Sequence, residues 1–306
     1  MFKILIAGTF LIINIMAQNN LPEFDKLWDY NNPAETEKKF KDILQQAENS
    51  GDTSYLIELI TQIGRTQGLQ MKFDEAHKTL DRAEQLLKVE YERPKIRYLL
   101  ERGRVYNSSK VYDRARELFL QAYDHAVESK EDNLAVDAAH MMGIVEKGDE
   151  SLKWNEIAMS DAEKSIDPKA KGWLGALYNN TGWTYHDMGN YEKALELFEK
   201  NVIWHTERNS KMELIIAKWC VGRTLRSLNR VDESLKMQLE LNKEISDKGM
   251  EQDGYNYEEI GECMLLLNKN DESKPYFIKA YDLLSKDIWL VENEKGRLDR
   301  LKKLGE

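Results

Sequence analysis

The chain has 306 residues, 42% hydrophobic and 32% charged, with five prolines and a formal net charge of −10. That apolar share supports a continuous core and excludes a disordered chain, and five prolines without a low-complexity tract argue against long linkers. The acidic balance argues against a general nucleic-acid or anionic-membrane binder, whose affinity comes from surplus Lys and Arg.

Met1-Phe2-Lys3 is followed by an apolar run from Ile4 to Met16, interrupted by Gly8, Thr9 and Asn14, and then by Ala17-Gln18-Asn19-Asn20. A positive start, a short apolar core and a small residue before a polar stretch predict a signal peptide over residues 1–17, cleaved after Ala17. The run is shorter than the ~20 residues of a membrane span, so no stable membrane insertion is expected after cleavage. The mature chain is expected to be secreted or periplasmic.

Residues 18–51 read as N-terminal helices forming a degenerate unit. A short helix is predicted from Leu21 to Trp28. A second starts at Pro33, carries Phe40, Ile43, Leu44 and Ala47 on one stripe, and stops at Gly51.

From residue 52 to 286 a glycine recurs at Gly64, Gly103, Gly143, Gly182, Gly222 and Gly261, in steps of 39, 40, 39, 40 and 39 residues. Such a period marks stacked supersecondary units, each burying its apolar face against its neighbours. Apolar residues recur at i, i+3, i+4 and i+7 with no strand-like alternation, so every unit is predicted helical. Small residues in phase let two helices approach to about 8–10 Å.

One unit reads Tyr178, Thr181, Gly182, Tyr185, Gly189, Tyr191, Ala194 and Phe198. A second has Leu99, Gly103, Tyr106, Tyr112, Ala115, Phe119 and Ala122 at the same offsets. The pattern resembles the tetratricopeptide repeat, with Thr181 in the place of the family's Leu. The resemblance implies an all-α, right-handed α-solenoid of about six helix hairpins. Here the period is about 40 residues where the family has about 34, which lengthens the helices. The unit at Gly143 is irregular: eight residues separate Gly143 from Ser151 where the other copies have twelve, and a tight turn is expected at Gly148-Asp149. Residues 287–306, with Leu298, Leu301 and Leu304 among basic residues, are expected to form a C-terminal capping helix.

Little in the chain points to chemistry. The five histidines are scattered, and no His or Cys pair has metal-ligand spacing. No Gly-rich phosphate loop or Gly-x-Ser-x-Gly elbow is present. No catalytic residue, metal or cofactor is therefore expected. Cys220 and Cys263 are expected to be buried free thiols.

With each unit's glycine as position 8, positions 2, 5, 9 and 12 share one face of its first helix. In tetratricopeptide repeats that face lines the concave groove. The resemblance therefore implies a binding set of Arg97, Leu100, Arg104 and Asn107, then Asp137 and His140, then Asn179, Trp183 and His186. It continues with Trp219, Arg223 and Arg226, and ends with Tyr255, Glu258 and Glu262. These types, rich in Trp, Tyr and Arg, are those that anchor interfaces. The expected function is a non-enzymatic scaffold or adaptor that binds a peptide or protein segment, with Trp183 and Trp219 as anchors. A competing account pairs Arg223 with Glu262 and packs the tryptophans between repeats. Alternatives are a ligand-sensing regulatory array and an enzyme whose site is assembled across repeats. The family's carboxylate clamp of Lys and Asn is not carried over, since only Asn180 falls at a matching position.

Overall fold

The computed structural model describes residues 21–306, so the predicted signal segment and its cleavage site lie outside the described residues. Among the described residues every regular element is helical. After a short 3-10 turn at Phe24–Leu27, the helices are α1 (Pro33–Asn49), α2 (Thr53–Leu69), α3 (Phe73–Leu86), α4 (Glu92–Ser108), α5 (Tyr112–Glu128) and α6 (Asp132–Val145). They continue as α7 (Gly148–Lys164), α8 (Pro168–Lys171), α9 (Leu174–Asp187), α10 (Tyr191–Arg208) and α11 (Lys211–Ser227). The last are α12 (Val231–Asp247), α13 (Gly254–Leu266), α14 (Asn270–Leu284), α15 (Ile288–Asn293) and α16 (Lys295–Gly305). No described helix is long and apolar enough to cross a membrane.

The chain forms two compact units that part between Leu118 and Phe119, inside α5. In the first unit α2 packs on α1, α3 and α4. Pro33 opens α1 at a position where its missing N–H costs nothing, and the Asn32 side chain accepts from the Glu35 N–H. Phe24, Phe40, Ala47, Leu59 and Ile63 form the core beneath this end, with Trp28 packed against it.

In the second unit the hairpins α6–α7, α9–α10, α11–α12 and α13–α14 follow one another, each packed on the next, and α16 closes on α14. The periodic glycines are the contact points inside the hairpins. A Cβ on Gly182 would lie 2.6 Å from the ring of fully buried Phe198, so only hydrogen fits there. Opposite Gly222 stands an amide rather than a ring: Gln238 is fully buried and donates to the Trp219 carbonyl at 3.1 Å. Asn256 Nδ2 in turn donates to Gln238 Oε1 at 2.7 Å, so one side chain ties α11, α12 and α13 together.

Turn chemistry repeats as faithfully as the glycines. Helix α2 ends with Met71 at φ 60°, the Lys72 N–H donating to the Gln67 carbonyl and the Met71 N–H to Gly68, both at 3.0 Å. This left-handed cap satisfies carbonyls that the helix end would orphan. It recurs with Lys110, Gly189, Asn229 and Asn268 inside hairpins, and with Lys130, Asn209 and Gly249 between them.

The hairpin at Gly143 lacks that cap. Helix α6 has 14 residues against 17 in α4, and only Glu146 and Lys147 separate it from α7. The expected turn at Gly148-Asp149 thus falls two residues earlier, and Gly148, at φ 58°, opens α7. Ser151 Oγ closes the junction by donating to the Gly143 carbonyl at 2.5 Å. Beyond α7, Trp173 Nε1 donates to Asn133 Oδ1 at 3.1 Å, which folds the α8 stretch back onto the start of α6. Cys220 and Cys263 are both buried and free, and burial pushes their thiols up to about 12 and about 11.

Candidate functional site

Helices α9, α11 and α13 are the first helices of three successive hairpins, and their aromatic side chains meet. The Trp183 and Trp219 rings lie 5.9 Å apart, and the Trp219 and Tyr255 rings 6.1 Å apart. At one end His186 lies 5.0 Å from Trp183, and at the other the Arg297 guanidinium sits 5.2 Å from the Tyr255 ring. Both tryptophans are half-buried against a core that includes Phe198, Cys220 and Val221. They pack between repeats and remain partly exposed.

Beside this row the charges follow a definite pattern. Arg226 donates to both oxygens of Glu259, from Nε at 2.7 Å and Nη2 at 2.8 Å. Arg223 reaches the same carboxylate with Nε at 3.2 Å and donates from Nη1 to Ser227 Oγ at 2.6 Å. His186 Nε2 lies 2.9 Å from that hydroxyl. Glu259 is 4% exposed, and burial pushes its carboxyl up, while the bidentate fork from Arg226 is the geometry that holds an ionised carboxylate. Arg223 is held below the usual guanidinium range, first by burial, with Arg226 beside it adding to the cost of its charge. Glu258 binds Arg297 through contacts of 2.6–3.1 Å, and Glu262 binds Arg300.

The pairing of Arg223 with Glu262 does not form. Its partner is Glu259, one turn earlier, because Glu262 is taken by Arg300 of the capping helix. Of the other residues on this phase, Asn179 donates to Asn180 Oδ1 at 3.2 Å, and the His140 ring stands 5.5 Å from Trp173, away from the Trp183 row. Asp137 is buried.

In the first unit the predicted arginines are spent on internal carboxylates. Arg97 pairs with Glu58 at 2.7 Å and Asp25 at 3.0 Å, and Arg104 donates to Glu101 at 2.9 Å. Asn107 is half-buried, and Leu100 is fully buried instead of facing outward. Arg65 completes this surface, its guanidinium 5.4 Å from the Trp28 ring and 5.3 Å from Tyr30.

Sequence reasoning missed Glu259, which organises the cluster, and Ser227. It also passed over Met212 and Ile216, which are 59% and 51% exposed on the face of α11 that carries Trp219 and Arg223. Ile216 was findable, since it occupies position 2 of its unit. Glu259, two residues before its glycine, lies outside the four positions taken to face the groove.

The family model described as Tetratricopeptide repeat matches residues 175–200, the α9–α10 hairpin that holds Trp183. The helical hairpins also superimpose on solved repeat structures. The chain carries the tetratricopeptide repeat. This tetratricopeptide chain is similar to the apo form of RapI, with a TM-score of 0.69 at 12% identity over 87% of this chain and 76% of that one. It is similar to a signal-transduction ATPase with a tetratricopeptide repeat sensor from Pyrococcus horikoshii, with a TM-score of 0.68 at 15% identity over 89% of this chain. It spans 42% of that protein's length. A third likeness is to the apo form of the quorum sensor NprR from B. thuringiensis, with a TM-score of 0.56, 14% identity, and 92% and 79% of the two chains covered. At these identities the likeness is one of fold. No curated protein matches the tetratricopeptide chain in sequence.

Proposed function

We propose that this tetratricopeptide array is a non-enzymatic interaction module whose α9, α11 and α13 face binds a peptide or protein segment. The observation that carries the reading is the row Trp183, Trp219, Tyr255 on successive first helices, half-buried beside an exposed aliphatic stretch. Rigid aromatic surface of this kind supplies binding area at low entropic cost, and truncating such an anchor typically weakens binding by about 2 kcal/mol or more. The acidic balance of the chain supports a protein partner over a nucleic acid.

A ligand-sensing role is the second reading. Two proteins of similar fold are described as a quorum sensor and as carrying a tetratricopeptide repeat sensor. In that role a bound peptide would alter the packing of one hairpin on the next.

Selection from a random linear peptide library tests the site. The wild-type chain is expected to enrich a consensus, and a Trp183→Ala/Trp219→Ala variant with unchanged circular dichroism is expected to bind it at least ~30-fold more weakly. Equal binding by the two proteins, or no enrichment at all, would remove this face as the site. Hydrogen exchange on adding the consensus peptide separates the two roles. Protection confined to the contact face supports the adaptor, and changes spreading through α10, α12 and α14 support the sensor.

A further inference from the structure

We infer that the segment taken by the α11 face carries a carboxylate about three residues from an apolar side chain, the carboxylate docking on Arg223. The inference rests on the reading that this face binds a peptide. Two guanidiniums, Arg223 and Arg226, share the single carboxylate of Glu259. The bidentate geometry belongs to Arg226, which leaves Arg223 with one contact through Nε and a neutral hydroxyl on Nη1. These contacts run through Nε and Nη1, and the side chain is 26% exposed.

The acids on the α13 and α16 side of Arg223 are already committed. Glu258 and Glu294 are both committed to Arg297, and Glu262 to Arg300. His186, which shares the Ser227 hydroxyl with Arg223, is held below the usual histidine range, first by burial and then by Arg223 itself, so it adds a polar wall without a second charge. Asp187, which lies 3.8 Å from His186, is itself 81% exposed. A half-buried cation that only shares a carboxylate is an attachment point for an incoming one, because planar guanidinium groups recognise carboxylates with directional, charge-assisted bonds.

The apolar requirement comes from the same helix. Met212 and Ile216 are 59% and 51% exposed on the side of α11 that carries Trp219 and Arg223. Seven residues separate Ile216 from Arg223, about 10 Å along a helix axis, which an extended peptide covers in about three residues. A carboxylate on Arg223 therefore places an apolar side chain three positions away against Ile216 and Trp219.

The test uses two random libraries on the full chain, one of internal peptides flanked on both sides and one ending in a free C-terminus. Wild type is expected to enrich Asp or Glu three residues from an aliphatic or aromatic residue. Enrichment in both libraries assigns the carboxylate to a side chain, and enrichment only in the free-ended library assigns it to the chain terminus. Either result supports the inference. Arg223→Gln is expected to keep the apolar preference, to lose the acidic one, and to bind the synthetic consensus about 10-fold more weakly. Replacing the peptide's acid by its amide should abolish the difference between wild type and Arg223→Gln, and Arg223→Lys should retain part of the acidic preference. A consensus without an acid, or one bound equally by wild type and Arg223→Gln, overturns the inference and leaves the peptide-binding reading standing. Failure of both libraries overturns both.

Discussion

Glu259 shows how one side chain can set the character of a surface. Its carboxylate is buried and gathers two arginines from α11, and Arg223 in turn shares Ser227 with His186. Burial, followed by the proximity of Arg223, lowers the His186 pKa from 6.5. A histidine whose folded pKa is depressed is neutral in the native state while the unfolded chain takes the proton. The stability this contributes is present above about pH 6.5 and is lost as pH falls through the folded pKa. His77 and His205 are shifted in the same direction by burial. The urea midpoint is therefore expected to drop between about pH 7.5 and 5.5, and His186→Gln is expected to reduce the drop. An unchanged pH slope in that variant would show that His186 is not among the groups responsible. Which residues share a face of each first helix was legible in the sequence, because a helix fixes where each side chain points. Their ionic partners were not, since these sit on neighbouring helices.

At the scale of the element, the glycine ladder was legible because it answers a steric demand. Gly182 faces Phe198 and Gly261 faces Phe277, and both rings are fully buried. Gly182→Ala would set a methyl 2.6 Å from a ring with no room to retreat, at an expected cost of about 1–3 kcal/mol in chemical denaturation. At Gly296 in α16 an added methyl would meet nothing within 4 Å, so Gly296→Ala should instead stabilise by up to ~1 kcal/mol. A neutral Gly182→Ala would mean that the hairpin adjusts more freely than its packing suggests. What the ladder did not disclose was the nature of each opposing group. Gln238 at Gly222 and Asn155 at Gly143 are amides that bond to backbone carbonyls, and a small-residue pattern carries no trace of them. The irregular rung was visible as a shortened spacing. Its turn lies two residues earlier, and Gly148, in the left-handed region that glycine tolerates, forms the entry to α7.

For the molecule as a whole, the compartment decides which partners the array can meet. We propose export, on the apolar run from Ile4 to Met16 and the small residue Ala17. Edman sequencing of the protein from its native host is expected to read Gln18 first, and a start at Met1 would show that the segment is retained rather than cleaved. Within the described residues, the sequence by itself determined the period, the helical class, the capping role of Leu298 and Leu301, and which positions of each first helix share a face. Those follow from helical geometry, which is local and repeats every 3.6 residues. Only the tertiary structure decided that Arg223 and Arg226 converge on Glu259 rather than Glu262, that α16 takes Glu258 and Glu262, and that Arg97 and Arg104 are spent inside the first unit. Glu259 and Glu262 differ by a single turn, and the slide of one helix along the next is set by how their side chains pack. Helical phase constrains the direction of a side chain and leaves that slide open.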